Sequence, residues 1–183
     1  DFSPIWHDNC QMVFDTQTLL PVLADLTAEL EHRRTLFVAA GTPNIAKYNQ
    51  VTGEQLTRYI LAFDEVAEVF DMSGLDKSEK DVVAQITRHL SLIARQGRAF
   101  GLHLLLSTQR PSADLIPGQI RTNLSLRICG RADEILSKII LDSSAAAEQI
   151  QLNEQGRFVT NTGRIFQGFW FDDSMLDTSG NHA

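Results

Sequence analysis

Two adjacent carboxylates, Asp64 and Glu65, end an apolar run at residues 59–63 within the stretch R-Y-I-L-A-F-D-E. A short continuous apolar run fits a strand buried on both faces, as in a parallel sheet covered by helices. Such a strand delivers the acids to its carboxyl end, where open α/β sheets collect ligands. Two acids placed there suit a phosphorylated ligand. Asp64 can hold a Mg²⁺ ion through water, and Glu65 can orient or deprotonate an attacking water. This is the pattern of a Walker B element. The same residues equally describe a buried strand whose first turn carries two solvated acids.

A second constellation lies at residues 97–111, G-R-A-F-G-L-H-L-L-L-S-T-Q-R-P. Residues 102–107 read as another buried strand, ending in Thr108 and Gln109. Beside the Asp64 strand, Gln109 would project toward the same crevice. Its amide could donate to a γ-phosphate oxygen and accept from a water, and so sense the phosphate. Taken alone, this stretch is a strand with a polar turn in which Gln109 caps backbone groups.

The elements that must position these residues follow from periodicity. Residues 11–14 suggest a short strand. Residues 18–40 predict a long helix with Leu19, Val22, Leu23, Leu26, Leu30 and Phe37 on one face, and with Asp25, Glu29, His32 and Arg33 on the others. Gly41 and Pro43 stop it. Residues 44–48 add a helical turn, and 51–55 a turn into the Asp64 strand. After Glu65 come one or two helical turns, then a polar loop at 71–80. Ser78 and Asp81 have the spacing of a capping box. It would open a second long helix, to about residue 99, buried through Val82, Val83, Ile86, Leu90, Ile93 and Gly97. A loop at 111–118 leads to a third buried strand at 124–129 and a helix at 131–141. Asn161, Thr162 and Gly163 separate the arms of a hairpin, 156–160 and 164–171. The alternation implies a parallel α/β sheet with an antiparallel edge.

The 183 residues, 43% hydrophobic and 21% charged, suffice for a domain with a real core. No run approaches the roughly 20 apolar residues of a membrane span. Cys10 and Cys129 are too few for a disulfide framework, and no Cys/His cluster predicts a structural metal. A reducing, cytosolic setting is expected. The net charge of −7 argues against coating nucleic acid by overall electrostatics. A ring touching DNA through a few pore loops stays open.

Together the two constellations resemble the FtsK/SpoIIIE family of hexameric DNA-pumping ATPases. The resemblance extends through I-P-G-Q-I-R-T-N-L-S-L-R-I-C-G-R-A-D at 116–133, I-I-L-D at 139–142, and Gly156, Arg157 and Phe158. It covers about residues 58–158, more loosely the helix at 18–40. I-P-G-Q-I and R-I-C-G-R-A-D are most similar to FtsK-type coupling proteins of conjugative plasmids and integrative elements. The resemblance implies a partial RecA-like P-loop NTPase sheet, with helices on both faces and a C-terminal β-hairpin. Residues 1–183 would be the C-terminal part of one motor domain, with a frayed tail at 172–183.

It also implies the cofactors ATP and Mg²⁺, and double-stranded DNA gripped by the pore loops of a homo-oligomeric, hexameric ring. The motor would be cytoplasmic, with any membrane anchor outside these residues. Asp64 matches the Mg²⁺ water ligand, Glu65 the catalytic base and Gln109 the sensor, with Thr108 against the nucleotide. Arg131 aligns with an arginine that reaches a neighbouring subunit's site in some relatives. It could instead be a surface arginine opening a helix. Arg110 and Arg127 are fingers or structural partners, and Arg98 pairs with an acid at its helix end.

One departure stands out. The phosphate-cradling G-x-x-x-x-G-K-[ST] loop is absent, and Gly74 to Ser78 does not replace it. The opening D-F-S-P without Met reads as a cut downstream of that loop, so the chain alone should hydrolyse no ATP. Two alternatives are a type VII secretion-like, protein-translocating ATPase and a regulatory or assembly module lacking the loop.

Overall fold

The computed structural model describes residues 10–109, 116–170 and 172. The chain divides into two compact units, Phe14–Leu126 and one built on the residues from Arg127 onward. The strand expected at 11–14 is absent. Phe14 is exposed, and helix α1 (Thr16–Ala39) starts directly after it. Asp15 caps α1 by accepting the Thr18 N–H at 2.8 Å. That bond holds the Asp15 carboxyl below the usual carboxylate range.

Leu19, Leu23, Leu30 and Phe37 of the expected stripe are buried, together with Thr27 and Arg33. Arg33 corrects the assignment to a polar face, being only 1% exposed. Its Nε donates to Glu29 at 2.6 Å, its Nη1 to the Phe100 carbonyl at 2.7 Å, and its guanidinium lies 5.1 Å from the Tyr59 ring centroid. A guanidinium so partnered can be buried without a bare charge.

Helix α2 (Ile45–Thr52), capped by Asn44, is longer than the single turn expected. It ends where Gly53 adopts φ +78°. Phe37, Tyr48 and Phe100 stack to join α1, α2 and the end of the next long helix. Strand β1 (Tyr59–Phe63) follows, then α3 (Val66–Phe70) and α4 (Lys77–Phe100). The capping box of α4 is Asp76 with Glu79, not Ser78 with Asp81. Asp76 accepts the Glu79 N–H at 2.9 Å, and Glu79 accepts the Asp76 N–H at 2.8 Å.

Strand β2 (Leu102–Leu106) pairs with β1 in parallel, Tyr59 opposite Leu102 and Phe63 opposite Leu106. Helix α4 packs on β2 and α1 packs on α4. The approach is close, since a Cβ at Gly97 would sit 2.5 Å from the Leu102 carbonyl oxygen. The expectation of strands buried on both faces fails here. Ile60 and Leu105 are 72% and 62% exposed. Residues alternate across a strand, so these two lie on the face turned away from α4. The short α5 (Gly118–Arg121) completes the unit and buries Ile120.

The second unit corrects the single parallel sheet. Strand β3 is only Ile128–Cys129, and it pairs antiparallel with β4 (Arg157–Thr160), not with β2. Strand β4 forms the predicted hairpin with β5 (Ile165–Gln167). Helices α6 (Glu134–Leu141) and α7 (Ala145–Gln149) surround a core of Cys129, Leu141, Ala146, Ile150 and Val159. Burial pushes the Cys129 thiol pKa up, as suits an inert core residue. The architecture is therefore mixed α/β with a small parallel and a small antiparallel sheet. The tail called at 172–183 and the loop at 110–115 lie outside the described residues, Asp172 apart.

Candidate active site

The carboxyl ends of β1 and β2 are knitted past the strands themselves. Ser107 N–H donates to the Phe63 carbonyl and Val66 N–H to the Ser107 carbonyl, both at 2.9 Å. This pairing sets Glu65 opposite Thr108. The Glu65 carboxylate is held from three sides. Thr108 Oγ1 donates to Oε1 in a short hydrogen bond, Gln109 N–H donates to Oε2 at 2.7 Å, and Ala67 N–H reaches Oε1 at 3.2 Å. The last bond makes Glu65 the cap of α3. Asp64, one residue earlier, is exposed with no hydrogen-bond partner among the described residues. Gln109 is exposed too, and only its backbone is engaged.

The structure thus brings Asp64, Glu65, Thr108 and Gln109 together. Arg131 belongs to the second unit. There it is exposed, ahead of Asp133, whose carboxylate caps α6 through the Leu136 N–H at 2.8 Å. Arg127 is a structural partner. Its Nη2 lies 2.5 Å from Asp142 Oδ2, and its N–H donates to Asn161 Oδ1 at 3.1 Å. Arg110 lies outside the described residues.

Arg98 departs from expectation. It has no carboxylate partner among the described residues. With Arg58 and Arg95 it lines a groove of about 550 Å³ at the amino end of β1, beside the start of α2, where no lining residue is acidic. The three arginines are 37 or more residues apart or on polar helix faces, so only the fold reveals the group. The repeated Arg at α4's last turn was the one available signal.

The fit to Mg²⁺ can be judged from the donors. No cluster of three metal-binding side chains exists among the described residues. An unengaged carboxylate at a strand end suits Mg²⁺, which keeps several waters and takes one or two carboxylates plus phosphate oxygens. Asp64 supplies such a carboxylate.

The first unit is thus a parallel strand pair under a helix layer with an acid pair at its carboxyl end, and comparison with known proteins specifies the fragment further. The FtsK/SpoIIIE family profile matches residues 4–113, more than half of the chain. The chain belongs to the FtsK/SpoIIIE family. It is 35% identical over 150 residues to the DNA translocase FtsK of Campylobacter jejuni, covering 79% of this chain and 15% of that protein. It is 28% identical over 190 residues to the DNA translocase SftA of Bacillus subtilis, covering all of this chain and 19% of that protein. The chain therefore spans less than a quarter of these relatives.

Among solved structures, the conjugation coupling protein TcpA of pCW3, in a monomer form with ATPγS, superposes with a TM-score of 0.83 at 34% identity. The match covers 90% of this chain and 47% of that one. The cytoplasmic domain of the type VII secretion ATPase EccC from Thermomonospora curvata gives 0.61 at 21% identity, over 90% of this chain and 20% of that one, a likeness of fold alone. No helix among the described residues is long and apolar enough to cross a membrane.

Proposed function

We propose that this chain supplies the Walker B half of a RecA-like motor that uses ATP to move double-stranded DNA, in conjugative transfer or DNA segregation. The observation that carries this is the Glu65 carboxylate, held by Thr108, Gln109 and Ala67, beside Asp64 and a Gln109 side chain that have no partner among the described residues. Glu65 takes the proton of the attacking water, and Gln109 offers its amide to the terminal phosphate. Asp64 would hold Mg²⁺, which when bound neutralises charge on the phosphate oxygens. This sequence holds no phosphate-cradling G-x-x-x-x-G-K-[ST] loop, so the chain alone hydrolyses no ATP above background. The working form is a homo-oligomeric ring, a hexamer, on the cytoplasmic side, anchored if at all through other segments.

The trans-acting arginine has two candidates. The family resemblance gives Arg131. The open groove gives Arg98, a planar permanent cation with no acid partner among the described residues, and this favours Arg98.

The test uses the full-length protein. DNA-stimulated hydrolysis is expected, and Glu65→Gln should lower it by about a hundredfold or more while ATPγS still binds. Turnover unchanged in Glu65→Gln would leave Glu65 a helix cap only. Stimulation by a secretion-signal peptide and not by DNA would favour a protein-translocating motor.

A further inference from the structure

The family resemblance puts Thr108 against the nucleotide, but the hydroxyl is already committed. A threonine hydroxyl has one proton to donate. Thr108 gives that proton to Glu65 Oε1. Phosphate oxygens, like ionised carboxylates, only accept, so the same proton cannot serve both. The contact is joined on Glu65 by the Gln109 backbone at 2.7 Å and by the first turn of α3 at 3.2 Å, so that the residues after β2 and those after β1 both hold the carboxylate. Donors on both carboxylate oxygens fix the rotamer and the plane of the group. Of the three, only the Thr108 contact is made by a side chain and can be removed by substitution without disturbing the backbone.

We propose that Thr108 is a positioning residue for Glu65, acting on the reaction through the base and not on the nucleotide. The proposal rests on Glu65 being the base. A base that swings by about an ångström loses its aim at the water, and misplacement on that scale can cost roughly a hundredfold.

A double-mutant cycle in the full-length protein tests this. Thr108→Val, Thr108→Ser, Glu65→Gln and the Glu65→Gln, Thr108→Val pair are assayed for kcat and KM with saturating double-stranded DNA, and for ATPγS affinity by titration. Thr108→Val should lower kcat by roughly tenfold or more. KM and ATPγS affinity should stay within about twofold, and Thr108→Ser should restore kcat. Adding Thr108→Val to Glu65→Gln should cost nothing further, because residues acting as one unit are not additive. Amide exchange gives a readout apart from activity: Glu65→Ala should speed exchange at the Gln109 N–H.

Multiplied losses in the double variant, or weakened ATPγS binding in Thr108→Val, would make Thr108 a nucleotide contact and overturn the proposal. Unchanged kcat in Thr108→Val, or unchanged exchange at Gln109 in Glu65→Ala, would overturn it as well. Those outcomes leave the base intact, whereas unchanged turnover in Glu65→Gln removes the base itself and the proposal with it.

Discussion

The two ends of the β1–β2 pair lie roughly 16 Å apart and are finished in opposite ways. At the carboxyl end, Glu65 accepts from Thr108, Gln109 and Ala67, which belong to its own unit. At the amino end, Arg58, Arg95 and Arg98 face a groove with no carboxylate among its described lining residues, in a chain of net charge −7. Among the described residues these three guanidiniums have no acid partner, and their fields reach outward to an anion. The carboxyl end is therefore built to hold a geometry, and the amino end to meet something that another molecule brings. That difference fits a site completed between subunits.

The largest effect should come from separating the two arginine candidates. Arg98→Ala in the full-length ring is expected to lower hydrolysis by about a thousandfold while ATPγS binding persists. Arg131→Ala should lose far less. Mixing Arg98→Ala subunits with Glu65→Gln subunits should restore part of the rate, because some interfaces then hold an intact arginine and an intact base. Mixed rings no more active than the sum of the two variants would break the contrast between the ends, as would complementation by Arg131→Ala instead.

Next in size is the contrast within the acid pair. Asp64→Ala should raise the Mg²⁺ concentration needed for half-maximal hydrolysis by roughly tenfold or more. Glu65→Gln should leave that concentration where it is and lower the maximal rate. Identical Mg²⁺ titrations for the two variants would merge their roles.

What the sequence showed and hid follows from how far apart the determinants lie. The acid pair was legible because the apolar run at 59–63 and the acids are contiguous, and β1 occupies that run. The triple hold on Glu65 was not, because Thr108 and Gln109 lie 43 and 44 residues away. The pairing of β3 was hidden for the same reason. Ile128 meets Thr160, and nothing local in an apolar run says whether its partner is parallel. Arg33 was misread because periodicity scores a guanidinium as polar, while its actual partners, Phe100 and Tyr59, come from other elements. Asp76 was missed as a cap because Ser78, two residues on, offers a similar spacing to Asp81.

A stability measurement sharpens the comparison from the scaffold's side. Gly97→Ala places a methyl 2.5 Å from the Leu102 carbonyl oxygen, a backbone atom that cannot rotate away. Either α4 or β2 must shift, at a cost of about 1–3 kcal/mol. Because Thr108 and Gln109 follow shortly after β2, a lowered midpoint in chemical denaturation should come with reduced turnover. An unchanged midpoint would mean that α4 yields easily and is a poor brace for the site.

The smallest effect expected is a pH dependence remote from both ends. In the groove between α1 and α4, His89 Nδ1 lies 2.9 Å from Thr27 Oγ1. The Thr27 hydroxyl also donates to the Ala24 carbonyl at 2.9 Å, so it accepts from the ring, and Nδ1 carries the proton. Burial and, less strongly, the Arg88 charge pull the His89 pKa below its ordinary value, against which the groove offers one acid, Glu31. The unfolded chain therefore takes up this proton at a higher pH than the folded one. The stabilisation is complete above the ordinary histidine value near 6.5, and is lost as pH falls from there through the lowered folded value. Between pH 7.5 and 5.5 the contribution to the fall in Tm should be about 2 °C, and His89→Gln should remove that part of it. The contrast is read from the difference between the two melting profiles, so that other titrating groups cancel. A profile for His89→Gln as steep as that of the parent chain would show that protonating His89 costs the fold nothing.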